Sequence, residues 1–566
     1  MDVSEIKPGM RGIGKTVFSQ TKIEDFKVEI IDVMKNVSPR GDVILARLSG
    51  GSIAGGLENT GVIAGMSGSP VYIDGKMIGA IAYTWSFQKE PIAGITPIRE
   101  MLEIIEIDNH SQANPENEQF QFALNPSLAR ESRMNQNSLS YIPIPVAFSS
   151  SALSEHPELL EAVLGSSFKL ANYGMLPVFA AGVSSDFTPA ELEPGSAVGV
   201  SLIQGDMQSS GIGTLTYRDK DKILAFGHPM LLGGTIEFPM VGGIIHTIMP
   251  SQALSFKLFS PTKPVGIVTQ DRANGIMGKI GKTTKLIPIK VVIRSLGIDT
   301  FYSYETIDHK LLFPGLLRTV ILNSIIAKEG IFGESTIKAE MTLGLKVGDG
   351  TTQTIMLQQM MSGDAPAEDI INSLAEPVAS LIENEFEKIK IENVNIKLDI
   401  ERGKKTSYIE KLITDQEKVK PGDSIDVIIV LRTYQGKIYN KKVSLQIPKE
   451  TPSGNLVLLV ANADSTYLLG LSRTPDRFAP TNFNQLVEQI QKLGRGNVIQ
   501  VSGYVQRKGV VVQAQELPNP PQFIKQVMAR PKNAVSFTES SLILRQSLTV
   551  EQMIQGVASL NLIVER

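Results

Sequence analysis

Short stretches in which apolar and polar residues alternate, cut by glycine, proline and aspartate, make up most of this 566-residue chain. A period of two predicts strands with one buried face. Residues 1–105 read as such strands and predict one β-barrel, closing near Met101 after Gly94-Ile95-Thr96-Pro97. Residues 106–140 are rich in Asn, Gln, Ser and Glu and have little apolar periodicity, which predicts a linker or an exposed excursion. A short helix is predicted over Ser154–Leu164, with Gly165 as its stop, and 106–189 is therefore assigned as linker plus helix. Alternation returns over 190–295, predicting a second barrel whose Gly233-Gly234 and Gly242-Gly243 pairs are corner kinks or site-forming turns.

From residue 296 the period lengthens. Leu316, Leu317, Val320, Ile321, Ile325 and Ile326 form a helical stripe stopped by Gly330. A second helical pair is predicted from Glu368 to Ile389, broken or kinked at Pro377, so 296–393 becomes a helical/β connector. Residues 394–450 alternate around Pro421-Gly422-Asp423 and Tyr434-Gln435-Gly436, predicting an immunoglobulin-like sandwich. Residues 451–566 form a further α+β segment. Its helix is capped by Thr481/Asn482, faced by Phe483, Leu486, Val487, Ile490 and Leu493, and stopped by Gly494. The fold class expected is mainly β.

One interruption of the strand pattern carries chemistry. Gly65-Met66-Ser67-Gly68-Ser69-Pro70 joins apolar Val62-Ile63-Ala64 to Val71-Tyr72-Ile73, and Asp74-Gly75 then turns a hairpin back through Met77–Tyr83. A serine between glycines in a tight turn can expose its hydroxyl and aim backbone N–H groups at one point. The Gly65 and Ser67 N–H groups would then form an oxyanion hole. The plain alternative is a Gly/Ser/Pro turn with no chemistry.

A serine nucleophile needs a base, and the chain has five histidines. His110 lies in a polar stretch, His156 precedes Pro157 at an expected helix start, and His309 follows Asp308 in a charged loop. His246, inside Ile244-Ile245-His246-Thr247-Ile248, reads as a satisfied buried side chain. His228, between Gly227 and Pro229 after an apolar strand, has the setting of a positioned functional group.

Gly61–Pro70, continuing through Gly75–Ala80, resembles the nucleophile segment of stage IV sporulation protein B-type serine peptidases. Gly211-Ile212-Gly213-Thr214-Leu215-Thr216-Tyr217 with Ala225-Phe226-Gly227-His228 resembles the segment that bears that family's catalytic histidine. The resemblance implies a chymotrypsin-like double barrel, Ser67 as nucleophile and His228 as base. It also implies a loop near the substrate cleft over Phe87–Gly94. Two departures accompany it. In the family the histidine block comes first, whereas here Ser67 precedes His228, which implies a permuted order; catalytic groups do recur in different chain orders. Ser52 stands at the spacing where the family's acid is expected, leaving Asp42, Glu58 and Asp271 as spatial substitutes.

Gly9-Met10-Arg11-Gly12-Ile13-Gly14-Lys15-Thr16 also fits the phosphate-cradling G-x-x-x-x-G-K-[ST] pattern. That pattern requires a buried strand before it and a helix after it. The polar stretch before and the strand-like Thr16–Thr21 after favour a glycine-rich opening of the barrel, with a nucleotide site as the remote alternative.

Composition narrows the function further. Fifty-five basic against 58 acidic residues give a net charge of −3 with no basic stripe, which points away from nucleic acid. No cysteine means no disulfide, no thiolate metal site and no cysteine nucleophile. No cofactor and no metal are expected, and no transmembrane segment. No signal peptide leads the chain, and removal of an export signal is favoured over a cytoplasmic location. The reading is a serine endopeptidase of the bacterial cell envelope acting on protein or peptide substrates, its β-rich C-terminal half meeting an envelope partner. The alternative is a catalytically inactive peptidase-like scaffold.

Overall fold

The computed structural model describes residues 1–38, 41–85, 88–113, 139–155, 175–179, 192–329, 333–348, 350–492, 495–512, 515–517, 520–521, 523 and 535–565. The chain divides into two compact units, Met1–Ile287 with Ser303–Asn323, and Pro288–Tyr302 with Ser324–Arg566.

In the first unit, seven strands open the chain: β1 (Arg11–Ser19), β2 (Lys22–Ser38), β3 (Gly41–Ser49), β4 (Pro70–Ile73), β5 (Lys76–Thr84), β6 (Ile92–Pro97) and β7 (Ser140–Tyr141). Their order is β4-β1-β2-β3-β6-β5-β7, and β4 also pairs with β5, so the first six close a barrel with β7 on its edge. The alternation that predicted these strands places Val17, Phe26, Val28, Ile44, Leu48, Ile81 and Ile95 in one core. Asp74 (φ +49°) and Gly75 (φ +73°) form the expected hairpin, both central residues being left-handed as its tight turn demands.

The helix α1 (Ile98–Ala113) follows the first barrel, so the excursion expected from residue 106 begins as helix, and 114–138 lie outside the described residues. Met101 and Ile104 of α1 join a core with Ala80, Leu224 and Met277. Asp108, buried, pairs with Lys279 at 2.9 Å.

The next strands are β8 (Ile144–Phe148), β9 (Met175–Phe179), β10 (Ala197–Gly205), β11 (Ser209–Asp219), β12 (Lys222–Ala225), β13 (Gly234–Met249), β14 (Phe256–Arg272) and β15 (Gly275–Ile280). They are ordered β10-β13-β14-β15-β12-β11-β8-β9, and β10 pairs with β11 as well. The mainly β expectation therefore holds for this unit, which has a closed six-stranded barrel and a half-barrel where a double barrel was expected. Of the helix expected at Ser154–Leu164, a turn at Ser151–Glu155 is described and the remainder lies outside the described residues.

The nucleotide-site alternative is overturned here. Lys15 and Thr16 sit within β1, in register with Asp25 and Glu24 of β2, so no phosphate-cradling loop or helix N-terminus follows them.

In the second unit, strands Thr351–Gly363, Ser335–Val347, Ile389–Arg402 and Ile287–Ser295 lie side by side in that order, and helix Pro366–Ile382 packs on the first two. That helix runs through Pro377 and ends at Ile382, with strand taking over by Ile389, so the expected helical pair is one helix.

The immunoglobulin-like sandwich expected at 394–450 is not what forms. Ile389–Arg402 belongs to the sheet just described. Strands from 406–446 build a four-stranded sheet with Met553–Gln555, facing a five-stranded sheet drawn mostly from 454–564. Ile409, Val427, Leu431, Leu456, Val460 and Val501 share the core between them. Alternation marks a strand's buried face and is silent on its partners, which here come from far along the chain. The helix expected near 483 spans Phe483–Gln491, with Asn482 Oδ1 accepting from the Gln485 amide at 3.0 Å and Phe483, Val487 and Ile490 buried. Leu493 and Gly494 lie outside the described residues.

Candidate active site

The Ser67 turn is built by its own backbone. Met66 N–H donates to Ile63 C=O (3.0 Å), Ser69 N–H to Met66 C=O (2.9 Å) and Gly68 N–H to Ile81 C=O of β5 (2.7 Å). Ser69 Oγ donates to Met66 C=O as well, at 2.7 Å. Gly65 and Gly68 have φ of +96° and +93°, a conformation costly for any residue with a Cβ. At Gly68 a Cβ would stand 2.0 Å from Thr214 O and 2.4 Å from Phe226 N, so the glycine also permits the half-barrel's backbone to approach. Among the described residues, the Gly65 and Ser67 N–H groups donate to nothing, while the three amides around them are engaged.

That close approach brings the His228 segment to the turn. Thr214 N–H donates to Ser67 C=O at 2.7 Å, Thr216 Oγ1 to Gly68 C=O at 2.7 Å, and Thr96 Oγ1 to Gly227 C=O at 2.6 Å. Phe226 (φ +72°) and Gly227 (φ +70°) are both left-handed, and for a bulky aromatic that is stored strain of the kind found beside functional groups. His228 is thereby presented at the junction of the barrel and the half-barrel. Its ring stacks on Tyr141 of β7, centroids 5.1 Å apart.

The expected exposed hydroxyl is not found. Ser67 is 0 % and His228 2 % exposed. Among the described residues neither Ser67 Oγ nor His228 Nε2 has a hydrogen-bond partner, so the two segments are brought together without the Ser–His hydrogen bond being made. Burial pushes the His228 imidazole down to about 4. Its Nδ1 lies 2.8 Å from Pro229 O. A carbonyl only accepts, so this contact places the proton of the neutral ring on Nδ1, the tautomer a general base needs, while the Ile142 backbone, like Pro229, favours the protonated ring and is outweighed by burial.

The candidate acids do not serve the imidazole. Asp271 accepts from the amides of Met230 (2.8 Å), Leu231 (2.7 Å) and Gly233 (3.1 Å), so its carboxylate pins the loop that follows His228. Its pKa is raised, desolvation outweighing those amide bonds. Asp42 accepts from the Asn36 amide and Glu58 from the Gly50 amide.

The other histidines separate as follows. His246 is bonded to Ser260 Oγ at 2.8 Å but stands on an exposed face, not buried as its apolar neighbours suggested. His309, expected in a charged loop, packs edge-on to Phe238 and is pushed down to about 4 by burial. His156 and the side chain of His110 lie outside the described residues.

Sequence reasoning missed Tyr141, the Pro229 carbonyl and, most of all, Lys257. Lys257 is fully buried in β14 with its amine on Thr16 Oγ1 at 2.8 Å. A cavity of about 390 Å³ is lined by Gly12, Ile13, Lys15, Tyr72, Asp74 and Gly75, and no site residue contributes to it. Among the described residues there is no cluster with the makings of a metal site, and no helix is long and apolar enough to cross a membrane.

Residues 2–102 match the SpoIVB peptidase S55 family. The match takes in β1–β6 and the whole Ser67 turn, and His228 lies beyond it. No curated protein and no solved structure matches the chain. The S55 match supports a serine peptidase in this region, and protein as the substrate class.

Proposed function

We propose that this protein is a serine endopeptidase in which Ser67 attacks the scissile carbonyl and His228 Nε2 takes the hydroxyl proton. The Gly65 and Ser67 N–H groups receive the oxyanion. The observation that carries this reading is the pair of unengaged amides flanking a nucleophile candidate inside the S55 region. In acyl transfer such donors supply the largest stabilisation when aimed before reaction, and each is worth on the order of 10²–10³ in rate. The neutral Nε2 supports the role of base, and the Pro229 carbonyl takes over the orienting task usually given to a carboxylate.

Ser67 Oγ and His228 Nε2 must come within about 3 Å in the productive complex, a tightening common when substrate binds. Tyr141 and the two-residue strand β7 lie over His228, so substrate entry begins with their displacement. The family likeness supports work in the bacterial cell envelope, with the β-rich second unit meeting an envelope protein.

A fluorophosphonate–biotin probe tests the reading. Labelling of the full chain is expected, and Ser67→Ala and His228→Ala each abolish it. Unchanged labelling in either variant rejects the assignment. The inactive-scaffold reading rests on the missing Ser–His hydrogen bond and on the engagement of Asp271 elsewhere; it expects no labelling at all.

A further inference from the structure

Among the described residues, Lys257 is a buried lysine with no carboxylate partner. Its side chain is sealed from solvent, and among the described residues its amine donates to Thr16 Oγ1 alone. Buried lysines are rare unless paired, because stripping water from an ammonium is costly. Burial lowers this one to about 7, so it holds its proton weakly. Nothing in the peptidase reading uses it, yet it touches the oxyanion turn in three ways.

Its main chain comes first. Lys257 N–H donates to Ala64 C=O at 3.1 Å. In a planar trans peptide the C=O and N–H point in opposite directions, so this bond fixes where the Gly65 N–H points. The stem comes second: Lys257 Cδ and Cγ lie 3.0 and 3.2 Å from the place a Gly65 Cβ would take, filling one side of the turn. The amine comes third, through a relay. Lys257 Nζ donates to Thr16 Oγ1, which stands 3.4 Å from Thr214 Oγ1, which donates to Gly65 C=O at 3.0 Å. Each hydroxyl has one proton to donate and Thr214 spends its own on Gly65 C=O, so the relay has one direction, from the amine to the carbonyl, with Ser69 Oγ a second donor to Thr214 Oγ1 at 3.5 Å. Thr16 and Thr214 are both fully buried, and water does not compete.

We propose that Lys257 is a positioning residue for the oxyanion hole. It holds both peptide planes that flank Gly65, one by its backbone and one by its amine through Thr16 and Thr214, so that the Gly65 N–H faces the reacting carbonyl and the turn that carries the Ser67 N–H starts from a fixed direction. The proposal rests on the peptidase reading for its consequence in rate. Its structural part, the fixing of the turn, stands apart from that reading.

Lys257→Met keeps the stem and removes the relay's source; Thr214→Val removes its last link. On the full chain with the fluorophosphonate–biotin probe, each is expected to lower the maximal inactivation rate by about tenfold or more, within the reach of oxyanion-hole losses. The probe concentration at half-maximal rate should stay within about twofold, since the loss falls on the transition state. The double variant should lose no more than either single one, because both cut one relay. Hydrogen exchange of the Met66, Gly68 and Ser69 amides should quicken in both variants while the Ser335–Val347 strand is unchanged. Wild-type rates with wild-type exchange overturn the proposal, as do additive losses. Should the wild type show no Ser67-dependent labelling, the peptidase reading fails, and exchange alone decides: quickened turn amides uphold the positioning role and unaltered ones reject it. If Lys257→Met does not fold, Thr16→Val takes its place in the same measurements.

Discussion

Beside Ser67, two buried polar atoms with no partner among the described residues, Ser67 Oγ and His228 Nε2, are sealed from water. In the second unit, by contrast, Arg473 leaves its buried Nε unpartnered among the described residues but spends both Nη groups: Nη2 meets Glu516 Oε2 at 2.5 Å, and Nη1 meets Glu516 Oε1 at 2.8 Å and Ser540 C=O at 2.7 Å. Its guanidinium also lies 5.1 Å from the Tyr504 ring centroid. An unmatched buried polar atom costs about 1–3 kcal/mol, whereas a matched charge pair mainly fixes the geometry around it. The first arrangement makes sense as readiness for a ligand, the second as a brace.

The sharpest way to break this contrast is to remove one member of each cluster. Ser67→Ala is expected to lower fluorophosphonate labelling by about 10³-fold or more, with thermal unfolding unchanged or slightly raised, since the hydroxyl stabilises nothing in the resting fold. Arg473→Met should leave labelling of the folded protein intact but cost about 3–5 kcal/mol in urea unfolding, because Glu516 stays behind buried without its guanidinium countercharge. A large stability loss in the first, or none in the second, would merge the two clusters into one kind.

Titration gives a middle-sized test. With His228 lowered to about 4, the acid limb of the labelling rate should fall near pH 4 instead of near 6.5. Lys257 supplies a second slope. Its amine releases its proton near 7 in the fold and near 10.5 when unfolded, so the unfolded chain binds more protons across that window. Stability therefore rises from pH 7 toward 10.5 and is lost as pH falls back through it, by up to about 1.4 kcal/mol per pH unit. Urea melts across pH should show that slope in the wild type and lack it in Lys257→Met. The smallest effect belongs to a satisfied, exposed bond: Asn482→Ala removes a helix cap and should cost about 1 kcal/mol in the same melts, with labelling untouched.

What the sequence disclosed follows the same division. The Ser67 turn was legible because glycine spacing reports backbone conformation directly, and the turn before His228 because Gly227, like Gly65 and Gly68, marks a left-handed position. Lys257 was hidden by its chemistry, since a lysine in a strand reads as solvent-facing. Its register, in phase with buried Ser255 and Phe259, was the available signal. The orienting carbonyl of Pro229 could not be read at all, because every residue carries one. The sandwich was misplaced for a different reason: the strands of 406–446 were visible, but Val557–Val564 and Met553–Gln555, which help complete the two sheets, lie more than a hundred residues on.

Because the group that fixes the imidazole is a main-chain oxygen, no substitution of a side chain deletes it. On the proposed reading, replacing the carboxylates one by one would single out Asp271, and through the loop it pins instead of through contact with the ring. The dependence would surface when the stretch from Pro229 to Gly233 is shortened or lengthened, or when Asp271 is replaced and the stretch unpinned, so that a lesion in spacing does what no new side chain at position 229 can.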